Sequence, residues 1–112
     1  MSISLSFTTE LDLPIYNYKL QNASEQRALS TLKNTPNNSW IFRFDYVTKK
    51  YYLTIKKDDE YINHHIYRYY KNTDEVIVKT SDTTSEIYSN LKDFLKEMIE
   101  IYNFDLSQQV IC

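Results

Sequence analysis

The chain has 112 residues, enough for one domain, and a net charge of -2 from 13 Lys and Arg against 15 Asp and Glu, which gives no general pull toward nucleic acid or an anionic membrane. A hydrophobic share of 42% and a charged share of 25% place it among folded rather than disordered chains. Its single Cys112 excludes an internal disulfide and a cysteine-rich zinc site, and fits a reducing, cytoplasmic compartment. The chain contains no glycine, where about 7% is usual. This rules out a P-loop, a dinucleotide fingerprint, a kinase glycine loop and a nucleophile elbow, all of which need positive φ or a close backbone approach.

In chain order, Ile3, Leu5 and Phe7 alternate with serine, so residues 1–15 read as an extended arm or extra strand ending near Pro14. No run reaches the roughly 18 apolar residues of a membrane span, and neither an anchor nor a signal peptide is expected. Ser24 stands as a helix cap before Glu25 and Gln26, and Ala28, Leu29 and Leu32 repeat at helical spacing, predicting a helix over 24–34. Pro36, Asn37 and Asn38 stop it. Strand-like runs follow at Ser39 to Asp45, Tyr51 to Lys57 and Glu60 to Tyr70, with a weaker one at Glu75 to Lys79. Their short connections imply an antiparallel meander. From Leu91 to Tyr102 an apolar stripe at spacings of three and four predicts a second helix over 90–103. The order predicts an α+β fold, a central antiparallel sheet with a helix on each face.

Chemistry concentrates in Ser39 to Asp45. Alternation turns Trp40, Phe42 and Phe44 one way and Ile41, Arg43 and Asp45 the other. With both faces covered, Arg43 points inward, where an unpaired charge costs several kcal/mol or more, so it needs an anionic partner. That partner is either an incoming anion or the chain's own Asp45, about 6.6 Å along the same face. His64 and His65, adjacent on a strand, project to opposite faces and cannot chelate one metal together. No triad, metal set or carboxylate pair stands at a recognisable spacing, and Cys112 is a poor nucleophile candidate, so neither enzyme nor cofactor is expected.

The stretch Tyr18 to Leu29 resembles the opening Trp-Tyr-His-Gly-x-Leu-Ser-Arg-x-x-Ala-Glu of a Src-homology-2 (SH2) domain. Leu32 to Arg43 is similar to the family's Leu-x-x-x-x-x-Gly-Thr-Phe-Leu-Val-Arg with the spacing intact, Tyr51 to Ile55 to its Tyr-x-Leu-Ser-Val strand, and Ile62 to His65 to its Val-Lys-His-Tyr. Leu106 to Cys112 resembles its closing strand, giving an SH2-like domain over 16–112 behind an arm at 1–15.

The resemblance implies a non-enzymatic module for tyrosine-phosphorylated peptides, with Arg43 at the floor of the phosphotyrosine pocket. A guanidinium can meet two oxygens of a phosphate carrying about −1.5 to −2 charges. Thr48, Lys49 and Lys50 match the phosphate-binding loop, or are an ordinary solvated turn. By resemblance Tyr52 packs on the phosphotyrosine ring, or fills core. His64 borders the pocket, while His65 and Tyr67 face the groove for following residues; the plain alternative for the two histidines is partial exposure on a strand.

Three positions depart from the family pattern. Glu25 stands where an arginine often clamps the phosphate, Asp45 where a serine is common, and Ile66 where a Lys or Arg often flanks the ring. The short segment from Tyr102 to Val110 implies weak selectivity for flanking sequence. The alternative is an SH2-fold interaction domain whose pocket Glu25 and Asp45 have closed, so that it no longer depends on phosphotyrosine. The excess of Asn, Lys, Ile and Tyr over Gly, Ala and Pro points to an AT-rich genome: an amoeba, or an intracellular bacterium whose secreted effector mimics the host and works in host cytoplasm. A monomer is expected.

Overall fold

Side-chain oxygens start both helices. In the computed structural model, which describes residues 18–111, the Ser24 hydroxyl accepts a hydrogen bond from the Arg27 N–H at 3.2 Å and opens α1 (Glu25–Leu32). The Asn90 side chain accepts from the Asp93 N–H at 2.8 Å and opens α2 (Leu91–Tyr102). The arm expected over residues 1–15 lies outside the described residues.

The antiparallel meander is present as β2 (Trp40–Asp45), β3 (Lys50–Lys57) and β4 (Glu60–Ile66). A short strand that the sequence did not announce, β1 (Leu20–Asn22), adds in parallel along β2 with Leu20 opposite Phe42, so the central sheet is mixed rather than purely antiparallel. The long run expected from Glu60 to Tyr70 breaks at Tyr67. Its second half, β5 (Arg68–Tyr70), joins β6 (Glu75–Lys79) and β7 (Ser85–Tyr88) in a separate three-stranded sheet.

The closing strand expected over Leu106 to Cys112 is instead a 3-10 turn at Leu106–Gln108, followed by a single bridge from Gln109 to Trp40. The Asp105 side chain explains the difference. It accepts from the Ser107 N–H at 2.9 Å and coils the backbone before it can pair.

With no glycine available, Asn and Asp take most of the left-handed positions: Asn38, Asp58, Asp59, Asp74 and Asn103 have positive φ. Lys49, with φ of 63°, is the exception among the described residues.

The two faces of the central sheet differ in character. Trp40, Phe42, Leu53, Ile55 and Ile66 pack with Leu91, Phe94, Leu95 and Met98 of α2 into the main core. The other face carries α1, whose Ala28 and Leu32 meet Ile41 in a much smaller cluster. The rest of that face is polar: Arg43, Asp45, Thr54 and Lys56 are all buried there. Facing pairs Ile41–Thr54, Arg43–Tyr52 and Asp45–Lys50 place these side chains on one surface. The Lys56 ammonium reaches under α1 and donates to the carbonyls of Lys33 and Thr35 at 3.0 and 2.7 Å, closing the helix's negative end.

Candidate functional site

Arg43 lies in the middle of β2 and is 1% exposed. Every nitrogen of its fork has a partner. Nε donates to Thr54 Oγ1 at 2.8 Å, Nη2 to Asn63 Oδ1 at 3.2 Å, and Nη1 to the Ala23 carbonyl and to Asp45 Oδ2, both at 3.1 Å. The Tyr52 ring lies under the guanidinium, 4.7 Å from its carbon, and the His65 ring stands 5.5 Å beyond Tyr52.

The register explains this row. Arg43 pairs with Tyr52 and Tyr52 with His65 across three strands, so all three side chains share a face. Asn63, two residues before His65, shares it too. Asn63 Nδ2 donates to Glu25 Oε2 at 3.0 Å, linking the first residue of α1 to the arginine through one amide.

The anionic partner of Arg43 is therefore the chain's own Asp45, 3% exposed. Its other oxygen, Oδ1, accepts from the backbone N–H groups of Val47 at 2.9 Å and Thr48 at 3.2 Å. Burial works to raise this carboxyl, but the Thr48 and Val47 bonds together with Arg43 outweigh it and hold the group below the usual carboxylate range. Asp45 thus stays ionised at neutral pH. Beside it opens a hollow of about 390 Å³, lined by Ser24, Glu25, Gln26, Asp45, Tyr46, Val47 and Thr48. A larger hollow of about 640 Å³ is lined by Tyr51, Tyr69 and Ile77 with the Lys71 to Thr73 turn. Tyr51 faces Phe44 on the α2 side of the sheet, so this hollow is not the arginine's.

Of the residues singled out from the sequence, the structure brings Arg43, Tyr52 and Thr48 together. Lys49 follows in the same loop and Lys50 opens β3, both exposed, with Lys50 directly across from Asp45. Two assignments need correction. His64 does not border the Arg43 pocket; it lies on the opposite face, its ring 6.0 Å from Phe94 and 5.6 Å from Tyr102, with Nδ1 2.8 Å from the Tyr102 hydroxyl. His65, expected at the groove for following residues, lies instead on the Arg43 row.

The resemblance to Val-Lys-His-Tyr was read one residue out of phase, and on a strand one residue exchanges the faces. Burial of Ile66 in the main core follows from the same shift: it points to α2, away from the pocket it would have flanked. Burial, with the neighbouring His65 second, lowers His64 below the ordinary imidazole range, and burial followed by the charge of Lys50 does the same to His65. Tyr67, assigned to the groove with His65, sits at the bend between β4 and β5. Its ring is 4.6 Å from the Lys79 ammonium and 5.4 Å from the Arg68 guanidinium, so it is not part of the Arg43 row.

The residues missed were Thr54, Asn63 and Ser24. A period-two reading of β4 that kept Ile62, His64 and Ile66 together on the core side would have turned Asn63 and His65 toward Arg43. No group of three or more His, Cys, Asp or Glu side chains that could hold a metal occurs among the described residues, and no helix there is long and apolar enough to cross a membrane.

No family model matches the chain, and no curated protein matches it. Among solved structures it is similar to the SH2 domain of VAV1, determined in solution in complex with a tyrosine-phosphorylated peptide from SLP76. The two are 14% identical and superpose with a TM-score of 0.52 over 86% of this chain and 71% of that one. At this identity the likeness is one of architecture: the chain has an SH2-like α+β fold, a mixed central sheet flanked by two helices.

Proposed function

We propose that the chain is a non-enzymatic module that binds tyrosine-phosphorylated peptides, with the phosphate on Arg43. The observation that carries this reading is the donor set around Asp45: a buried guanidinium and two loop N–H groups already converge on one anion beside an open hollow. Tyr52 lies against the arginine and His65 beyond it, a row on which an aromatic ring entering with the phosphate would lie, while Lys49 and Lys50 add positive charge beside it. The ligand of the VAV1 domain supplies the chemical class. The partners are tyrosine-phosphorylated proteins rather than nucleic acid or membrane, met by a monomer in a cytoplasm, that of a host if the chain is a secreted effector.

Calorimetric titration with one phosphotyrosine peptide and its unphosphorylated twin tests this reading. Binding of the first and not the second is expected. A phosphopeptide library should return little preference at flanking positions, since α2 passes through Asn103 to Asp105 straight into the 3-10 turn and leaves little chain to wall a second pocket; a sharp preference at the third position after phosphotyrosine would contradict this.

One observation favours a second reading. The Arg43–Asp45 pair, with Glu25 one amide away, is complete without any ligand, as in an interaction domain that has lost phosphotyrosine dependence. Equal binding of the two peptides would select it.

A further inference from the structure

Resting on the phosphotyrosine reading, we infer that Asp45 is a specificity determinant: a tethered carboxylate that occupies the anion cradle and yields it only to a doubly charged ligand, so that the site accepts phosphate monoesters and rejects singly charged sulfate esters and carboxylates.

The occupancy is plain from the bonds. Asp45 takes the groups a bound anion would need, Arg43 Nη1 and the Val47 and Thr48 N–H groups. Any ligand must therefore exchange with it. A singly charged ligand offers the cradle the same charge that Asp45 already supplies, and Asp45 supplies it from within the chain at an effective concentration of millimolar or higher. Exchange with such a ligand gains nothing.

A phosphate monoester brings nearly twice the charge and three oxygens. It also finds some unused capacity, because Nη2 donates only one of its two N–H groups, to Asn63, and the Asp45 bond at 3.1 Å is longer than the roughly 2.7–2.9 Å of a strong charge-assisted bond. The displaced carboxylate has somewhere to go. Lys50 stands directly opposite Asp45 on β3 and is exposed, so the acid can turn outward onto an ammonium at the surface. Glu25 lines the same hollow, and its charge raises the cost of entry for any anion.

The test compares three versions of one tyrosine peptide, phosphorylated, sulfated and unmodified, titrated at pH 7.5 and constant ionic strength into the wild-type chain and into Asp45→Asn. The asparagine keeps an oxygen for the Val47 and Thr48 N–H groups while losing the charge; Asp45→Ser serves in its place if the amide variant does not fold. In the wild type only the phosphopeptide should bind. In the variant both modified peptides should bind, the phosphopeptide at least about tenfold tighter than to the wild type, because the displacement cost is lifted for every ligand alike.

Binding by the variant alone would also support occupancy by Asp45. Unchanged affinity for the phosphopeptide in the variant would overturn the role of Asp45 and leave the phosphotyrosine reading standing. Failure of both proteins to bind any version would overturn that reading and this inference together.

Discussion

Arg43→Ala is expected to lower the stability of the folded chain by about 3–5 kcal/mol and to abolish phosphopeptide binding. The stability loss comes from what the arginine leaves behind. Asp45 would remain ionised and 3% exposed without its cation, and the Ala23 carbonyl would lose the Nη1 bond. Set against the roughly 5–15 kcal/mol of total stability usual for a domain, that is a large share. The binding loss is about 2–5 kcal/mol, the usual cost of truncating one member of a buried charge pair.

The two losses can be separated. Replacing both partners, Arg43→Met with Asp45→Leu, removes the buried charges together and should restore most of the stability while leaving binding absent. Urea denaturation of the wild type, both single variants and the double variant checks this as a cycle. A cost below about 1 kcal/mol for Arg43→Ala is the range of an exposed pair and would contradict the burial described above.

Trp40→Ala should cost about 3–5 kcal/mol, toward the upper end of that range. Trp40 is fully buried, with the rings of Tyr18 and Phe104 5.4 and 5.7 Å away, and its Nε1 donates to the Leu106 carbonyl at 3.3 Å. Its backbone carbonyl accepts from the Val110 N–H at 2.8 Å, and Val110 packs in the small cluster under α1. One residue therefore joins both sides of the sheet to the segment after α2, through its ring and Nε1 on the core side and its backbone carbonyl at Val110. Truncation opens a cavity in the main core and removes the Nε1 bond to Leu106, while the backbone bond to Val110 remains. Trp40 is the only tryptophan in the chain, so far-UV circular dichroism rather than intrinsic fluorescence is the probe for the denaturation curve. A variant as stable as the wild type would show that the segment after α2 is not held through this residue.

Much of the architecture was legible because it rests on local signals of the right period. Ser24 and the stripe from Leu91 to Tyr102 announced the helices. The alternation of Trp40, Phe42 and Phe44 against Ile41, Arg43 and Asp45 gave β2 its faces, the first group toward α2 and the second toward α1. What was not legible depends on distant partners. Leu20 to Asn22 becomes a strand only because β2 lies beside it, and Ser85–Tyr88, largely exposed, has no apolar pattern to mark it.

The candidate site divides the same way. Arg43 stood out as a charge in an apolar run, and its choice between an outside anion and Asp45 was visible but undecidable from spacing. The choice depends on the loop N–H groups of Val47 and Thr48, which are part of the backbone and leave no mark in the sequence. The histidine pair failed for a different reason. Adjacent residues on a strand must be assigned opposite faces, and a motif aligned one residue out assigned both wrongly, although Ile62 and Ile66 on either side carried the correct phase.

The attachment of α1 has a consequence for how the molecule breathes. The helix is eight residues long, shorter than an isolated helix can sustain. It is fastened by two apolar side chains, by the Asn63–Glu25 bond at one end and by the Lys56 ammonium at the other. The α2 helix, by contrast, buries Leu91, Phe94, Leu95 and Met98 in the main core. Local opening should therefore begin at α1 while the rest of the chain stays native, its amides exchanging with deuterated solvent well ahead of those of α2, and sooner still in Lys56→Met. Because the first turn of that helix borders the hollow beside Asp45, each such opening would briefly bare the arginine, giving a slow-exchanging interior charge an intermittent route to the outside.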